Sequence, residues 1–439
     1  MTSAAANQAE APSAAPAATH ASSGYTQAAI LIGVGVLATT LAQPGVLSAI
    51  PLRNLLKNEL HATRSATSAW IFLSGLAWYF KPLAGIFTDA FPIFGTRRRS
   101  YLLISTVLAS LAWIGMIFTP HDYNALLWVA IVINAFMVIA STVIGGYMVE
   151  VAQASASSGR LSAIRNITSA VVGVIQSPAG GLLATVAFGW SAGVSGAVMF
   201  LLFPATLLLL KEERRRTDAQ QVFANARHQL TNIVSARTLW AAAGLTLLFF
   251  AAPGFGTALF YRQQDQLHMT TVGQGVLGLI SSVGALTSPF VYIWACRRLN
   301  LRRMLLLCLG ASTLTGLLYM TFFYDSEAHA RVIEGVNGFT SALAEEALMD
   351  LAVRATPAGS EGLGFSLMVS VRNLALFGTD VLGSWMLDKW RLPFNDLVLG
   401  NVGTTLLTLP LVMLLPGVLV RRKDADVAEP PALKTQLQE

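Results

Sequence analysis

The stretch "FKPLAGIFTDAFPIFGTRRRSYLL", Phe80 to Leu103, indicates the fold class of this chain. It places a lysine and an aspartate in one apolar run, follows them with three consecutive arginines and then begins a second apolar run. A helix of about 20 apolar residues crosses the hydrocarbon core of a bilayer, and basic residues collect in the cytoplasmic loops. The stretch therefore predicts the end of one membrane span, a short cytoplasmic loop and the start of the next span.

Apolar runs of similar length recur along the whole chain. Of its 439 residues, 54% are hydrophobic and 12% are charged, and that charged fraction is about half of the value for an ordinary soluble domain. The runs lack the alternation of a membrane β-barrel, so the sequence predicts an all-α integral membrane protein with twelve transmembrane helices. In chain order, spans 1 to 12 are predicted at 28–50, 68–88, 100–118, 125–149, 162–187, 191–210, 238–261, 272–295, 302–323, 331–351, 363–386 and 396–419.

The distribution of the 29 lysines and arginines predicts the orientation of these spans. Most of them lie in the loops and tails that share one side of the membrane, which places both termini in the cytoplasm. We expect a multi-pass protein of the bacterial inner membrane. Because this topology explains the net charge of +6, the lipid bilayer is the expected partner of the basic residues, and no nucleic-acid partner is expected.

Short motifs recur in the same order in the two parts of the chain. "QPG" with Pro44 matches "APG" with Pro253, and "IRN" at Arg165 matches "VRN" at Arg372. Since transporters are often built from duplicated halves, we predict two pseudo-symmetric six-helix halves. The predicted organisation is a disordered cytoplasmic tail at 1–27, an N-terminal half at 28–210, a cytoplasmic linker at 211–237, a C-terminal half at 238–419 and a cytoplasmic tail at 420–439.

The loop at the end of span 2 carries a family resemblance. Its pattern Gly85-xxx-Asp89-x5-Gly95-x-Arg97-Arg98-Arg99 resembles the loop signature of the major facilitator superfamily. A narrower resemblance is to the folate/biopterin transporter family. It rests on the segments "FKPL", "FPIFG" and "RRRSYLL" and on "VEVAQ" at 149–153. The resemblance implies the major facilitator fold, alternating access, a folate- or pterin-like anion as substrate and proton coupling. We expect a monomer. In one departure from that family, span 4 has "STVIGGYMVE" where acidic residues are expected.

Charges at the cytoplasmic helix ends are candidates for a latch that opens and closes with the conformational change. Asp89 is expected to bind the beginning of span 11, and Glu150 to pair with an arginine of the "RRR" loop. In the second half, Asp350 is expected to pair with one of two basic residues in the loop before span 9. The alternative is that the basic residues only anchor the topology. The candidate latch residues are Asp89, Arg97, Arg98, Arg99, Glu150, Arg302, Arg303 and Asp350.

Charged residues inside spans are costly to bury and usually mark a cavity or a proton relay. Lys81 in span 2 is a candidate for meeting an anionic solute, and Glu345 or Glu346 in span 10 for carrying the coupling proton. Adjacent helical residues point about 100° apart, so one of the two glutamates is expected to face a cavity. Structural pairing between helices is the alternative for each. The candidate binding or coupling residues are Lys81, Glu345, Glu346, Arg372, Asp380 and Gln43.

Proline-glycine pairs at Pro44 and Pro253 are predicted to interrupt spans 1 and 7 at matching depths. In transporters of this organisation, the solute site lies near the membrane midplane between the halves and often involves discontinuous helices. Gln43 lies beside the first break and offers hydrogen-bonding groups. A kink that serves only packing is the alternative.

Motifs of soluble enzymes are absent from the sequence. Neither the phosphate-binding GxxxxGK[ST] nor the zinc-binding HExxH occurs, so we expect no enzyme activity, no metal and no cofactor. The leading interpretation is a secondary transporter for a small organic solute. Two alternatives stay open: an exporter of other amphiphiles or drugs on the same fold, and a non-transporting membrane scaffold or assembly factor.

Overall fold

A computed structural model of the chain describes residues 15–154, 158–212, 219–357 and 360–421. In the N-terminal half, α-helix occupies all six predicted spans, and three spans are interrupted. A π-helical turn, Leu55–Glu59, follows span 1. The helices of spans 1 to 6 are Ala15–Leu41 with Ala49–Asn54; Arg64–Ser74 with Leu76–Tyr79 and Lys81–Ala90; Arg99–Phe118; Tyr123–Ala154; Ser158–Leu183; and Phe188–Phe200 with Leu202–Leu209.

The C-terminal half follows the same plan after a linker helix, Ala219–Ser235. Span 7 is again interrupted, and spans 9 and 12 end in 3-10 turns. The last short helix is Gly417–Val420. The elements of spans 7 to 12 are Arg237–Phe250 with Gly256–Asp265; Thr271–Cys296; Leu301–Gly316 with Leu317–Tyr319; Glu327–Ala355; Glu361–Lys389; and Phe394–Thr408 with Leu409–Leu414.

Seven of the described helices are long and apolar enough to cross a membrane. An eighth candidate is the pair Arg227–Ser235 and Arg237–Phe250, which meet at 71°. The exact number of twelve crossings stays a prediction, because the helices of spans 1, 2, 5 and 10 are not among these candidates. The first helix begins at Ala15, within the segment 1–27 for which we predicted disorder. The rest of that segment, and nearly all of the predicted tail at 420–439, lie outside the described residues.

Each half has its own apolar core. The largest buried cluster of the N-terminal half includes Trp70, Trp113 and Met137. The largest cluster of the C-terminal half includes Leu305 and Leu348. The three smaller clusters also lie wholly within one half or the other. Each half therefore has buried apolar clusters of its own.

The halves meet along two helix pairs, spans 5 and 8 and spans 2 and 11. Spans 5 and 8 approach closely because both carry glycine at the crossing. A Cβ atom on Gly181 would lie 2.7 Å from the Thr271 carbonyl oxygen, and one on Gly275 would lie 2.7 Å from the Ser177 carbonyl oxygen. Small residues at such crossings let two membrane helices pack backbone against backbone.

Candidate functional site

Hydrogen bonds and ion pairs between the halves concentrate at one end of the molecule, which we call the closed end. Lys57 pairs with Asp265 across the interface. The backbone N–H and the hydroxyl of Ser65 donate to Asp388 Oδ2 at 2.9 and 2.7 Å. The Tyr261 hydroxyl donates to a backbone carbonyl of the N-terminal half at 2.5 Å. The closed end comprises residues 55–67 of the N-terminal half and residues 257–274 and 385–390 of the C-terminal half.

The contacts between the halves become sparse away from the closed end. The deepest polar contacts are from Ser282 Oγ to the Gly173 carbonyl, at 2.7 Å, and from Ser370 Oγ to the Trp78 carbonyl, at 3.4 Å. Beyond them, toward the end that carries the "RRR" loop, no hydrogen bond or ion pair joins the halves among the described residues. Among the described residues, the polar contacts between the halves therefore lie at the closed end and in the middle of the molecule.

A cavity of about 290 Å³ lies between the halves, next to the closed end. Gly45 and Gly256, which adjoin the breaks in spans 1 and 7, form part of its wall. The apolar part of the wall includes Ile50, Leu259 and Phe260. The polar side chains that line the cavity are Arg53, Gln176 and Ser177 of the N-terminal half and Gln263, Gln274 and Glu334 of the C-terminal half.

The break at Pro253 has its freed backbone groups bonded to neighbouring spans. Asn401 donates to the Pro253 carbonyl at 2.9 Å, and the Gly254 N–H donates to the Thr379 carbonyl at 2.9 Å. Asp380 accepts from the backbone N–H of Thr257 at 3.0 Å and from its hydroxyl at 2.5 Å. The carboxylate thus lies at the N-terminus of the second helix of span 7, where the helix dipole favours an anion. The structure places Asp380 in support of the break and not in the cavity wall.

The predicted residues of spans 1 and 2 make contacts within the N-terminal half. Lys81 Nζ donates to Ser141 Oγ at 2.9 Å and lies 5.2 Å from the centre of the Trp78 ring. Gln43 donates to the carbonyl of Thr39, one turn earlier, at 2.9 Å. Neither side chain lines the cavity. The break at Pro44 separates the helices Ala15–Leu41 and Ala49–Asn54.

The two glutamates of span 10 lie in different surroundings. Glu345 forms an ion pair with Arg372 at 2.8 Å, which joins two predicted residues across spans 10 and 11. Glu346 faces span 8, where Ser288 Oγ donates to its Oε1 at 2.8 Å. The second carboxylate oxygen of Glu346 is buried, and no described residue forms a hydrogen bond with it.

One of the ion pairs expected for the latch of the N-terminal half is present in the structure. Arg98 binds Glu150 at 2.7 Å, and Gly146 makes room for it, since a Cβ atom there would lie 2.8 Å from the guanidinium. Glu212 accepts from the backbone N–H groups of the three consecutive arginines, at 2.8, 3.0 and 2.7 Å in chain order from Arg97 to Arg99. Sequence reasoning missed Glu212, whose one signal is its place directly after span 6. The side chain of Asp89 lies outside the described part of the structure.

The expected pair of the second half is not formed. Asp350 binds Arg354, one turn along the same helix, at 2.7 Å and accepts from the Tyr292 hydroxyl at 3.0 Å. Arg302 instead donates to the Leu415 carbonyl at 3.5 Å, and the backbone N–H of Arg303 is capped by a neighbouring asparagine. In this structure neither Arg302 nor Arg303 forms the expected pair with Asp350 among the described residues. The physical reason is that a partner at i+4 lies within direct reach on the helix surface.

The helix arrangement and the cavity between the halves define the fold class, an all-α membrane protein with the major facilitator fold. The D-xylose-proton symporter superposes with a TM-score of 0.67 at 14% identity, over 90% of this chain and 98% of that chain. A POT family transporter in complex with 5-aminolevulinic acid gives a TM-score of 0.69 at 11% identity, over 89% and 96% of the two chains.

The family model described as BT1 family matches residues 45–432, so the chain belongs to the BT1 family. The folate-biopterin transporter of Synechocystis sp. (strain ATCC 27184 / PCC 6803 / Kazusa) is 26% identical over 84% of this chain and 78% of its own length. The probable folate-biopterin transporter 5 of Arabidopsis thaliana is 26% identical over 78% of this chain and 73% of its own length. The suspected family is confirmed, and the protein is a multi-pass membrane transporter and not an enzyme.

Proposed function

We propose that this transporter moves a small organic solute of the folate or pterin type by alternating access in a bacterial inner membrane. The observation that carries the proposal is that hydrogen bonds and ion pairs between the halves concentrate at the closed end. A carrier of this design closes one end of its central site while the other end is open. The closed end holds the loops that the charge distribution predicts to be outside. We therefore assign the structure to an inward-facing state with both termini in the cytoplasm.

Two cations of the N-terminal half support an anionic solute. Lys81 and Arg165 lie close enough to repel each other electrostatically, and neither has a carboxylate partner among the described residues. An unpaired cation within a membrane protein is costly unless an anion or a polar group compensates it. A solute carboxylate that enters from the open end would supply that compensation.

Proton coupling is supported by Glu346. An ionised carboxylate with one oxygen buried and without a hydrogen-bond donor is costly, and a bound proton would remove that charge. Glu345 is less suited to this role, because it is 44% exposed and neutralised by Arg372. We therefore assign the coupling proton to Glu346 and a structural ion pair to Glu345.

The test is transport by the purified protein in proteoliposomes. We expect labelled folate or a pterin to accumulate when a pH gradient is imposed, and a protonophore to abolish the accumulation. Empty vesicles provide the control. Movement of unrelated amphiphiles alone would favour the exporter alternative, and failure to move any solute of the panel would favour the scaffold.

A further inference from the structure

The cavity between the halves has one charged side chain at each of two walls, and the two charges come from different halves. Arg53 belongs to the N-terminal half and Glu334 to the C-terminal half. They do not form an ion pair with each other within the described part of the chain. Each charge is therefore available to a molecule that lies between them.

Arg53 lacks a protein acceptor. Its guanidinium makes no hydrogen bond or ion pair with any described residue, and it stacks over the Phe260 ring at 5.8 Å from the ring centre. Asp380 attracts it electrostatically, but that carboxylate is occupied by Thr257. A half-buried guanidinium at a cavity wall can bind oxygen atoms of a molecule in the cavity, and a carboxylate suits its geometry best.

Glu334 lies at the end of a directed chain of hydrogen bonds. Gln264 donates to Gln274 at 3.2 Å, Gln274 donates to Gln263 at 3.0 Å, and Gln263 donates to the Tyr324 hydroxyl at 2.8 Å. That hydroxyl donates in turn to Glu334 Oε1 at 3.2 Å. The Tyr319 hydroxyl is hydrogen-bonded to the same carboxylate. These bonds fix the carboxylate in place at the cavity wall, and an ionised carboxylate has about four acceptor positions, so it can still accept from donors in the cavity.

We propose that this cavity binds the heterocyclic part of the solute, with Glu334 accepting from a 2-amino-4-oxo edge and Arg53 binding a carboxylate at the opposite end of the ring system. This inference rests on the proposed transport function. A carboxylate is complementary to an edge that carries an N–H and an adjacent amino group, since each oxygen accepts from one donor. Ile50, Leu259 and Phe260 also line the cavity and offer apolar surface to the faces of a planar ring.

The size of the cavity limits the ligand. Pockets for drug-sized molecules measure about 300–1,000 Å³, and this cavity of about 290 Å³ lies just below that range. It accommodates a bicyclic ring with a short substituent. A longer tail would have to extend toward the open end.

Three ligands test the proposed contacts of Glu334 and of Arg53 independently of each other. The first is 2-amino-4-oxopteridine-6-carboxylate, the second lacks its carboxylate, and the third has oxygen in place of the 2-amino group. Charged hydrogen bonds of about 1.5–3 kcal/mol correspond to roughly 10- to 100-fold in affinity. We expect the wild type to bind the first ligand at least 10-fold more tightly than either of the others, by isothermal titration in detergent.

Two substitutions connect each preference to its residue. In Glu334→Gln the preference for the 2-amino group should fall below about 3-fold while the preference for the carboxylate remains. In Arg53→Gln the reverse should hold. Glu327→Gln, an exposed site on the same helix as Glu334, is the control and should keep both preferences.

The outcomes distinguish this inference from the proposed function. If the wild type transports a pteridine but either preference is missing, or if both persist in the two variants, the assignment of this cavity is wrong and the transport function stands. If the wild type neither binds nor transports any of the three ligands, both fail. The wild-type comparison needs no variant, so loss of folding in a variant leaves the proposal open to contradiction.

Discussion

The two halves follow one helix plan, but the predicted spans of the N-terminal half hold only cations, whereas those of the C-terminal half hold carboxylates as well as cations. In the N-terminal half, Lys81 and Arg165 have no carboxylate partner among the described residues. The C-terminal half holds Glu345 and Glu346 on span 10, and the corresponding stretch of span 4 has Gly145 and Gly146. Cations without partners require an anion from outside the protein, whereas carboxylates can exchange protons. We therefore expect cations of the N-terminal half to bind the anionic part of the solute and a carboxylate of the C-terminal half to carry the coupling proton.

Removal of the N-terminal cations should give the largest effect among the tests of these roles. We expect Lys81→Gln and Arg165→Gln each to weaken the binding of an anionic folate about 10-fold, because each removes one charge-assisted contact. Binding of a neutral pterin should change less than 3-fold. Titration of both ligands measures this, with Lys389→Gln at the closed end as control. Equal losses for the two ligands would indicate that the cations serve only the structure.

Closure between the halves should respond to a single methyl group at the crossing of spans 5 and 8. In Gly275→Ala the added Cβ meets the Ser177 carbonyl oxygen, so the closed end should be forced apart. We expect the yield of a cross-link between cysteines at 66 and 385, in a chain without Cys296 and Cys308, to fall about 3-fold, a shift of less than about 1 kcal/mol.

Gly115→Ala is the matched control for this cross-link. A Cβ atom at Gly115 would meet nothing within 4 Å, so the yield should stay at the wild-type level. An unchanged yield in Gly275→Ala would mean that the halves are not held together at this crossing.

The latch of the N-terminal half should have the smallest effect. Glu150 is 49% exposed, and such ion pairs contribute about 0.2–1 kcal/mol. Arg98→Gln and Gly146→Ala should therefore slow transport about 2-fold without changing equilibrium binding, the second because its Cβ displaces the arginine. Gly145→Ala is the control, since a Cβ there meets no neighbour within 4 Å. Wild-type rates in both test variants would leave the arginines as topology anchors.

The parts of the molecule that depend on local sequence were predictable. Apolar run length located the spans, and the proline-glycine pairs at Pro44 and Pro253 coincide with interruptions of the helices. Ion pairs at the helix ends were harder to predict. Asp350 is an example, because the basic residue four positions along its own helix competes with the basic residues of a loop.

The cavity could not be derived from the sequence. Arg53 follows the predicted end of span 1, so the count of basic residues assigns it to an outer loop. Glu334 lies near the start of span 10 and carries no motif. Only the packing of the two halves brings these residues to one cavity. Residues at the edges of spans therefore carry little sequence signal, even where they line a cavity.

The most direct test of these roles compares transport by the Glu345→Gln and Glu346→Gln variants in proteoliposomes. Accumulation driven by a pH gradient requires net proton movement, whereas exchange of labelled for unlabelled solute does not. We expect Glu346→Gln to lose at least 10-fold in accumulation and to keep exchange within about 2-fold of the wild type. Glu345→Gln should lower accumulation and exchange together, because it leaves Arg372 without its carboxylate partner. If Glu346→Gln retains pH-driven accumulation, another residue carries the proton. That result would contradict the assignment of the coupling proton to Glu346 in the C-terminal half.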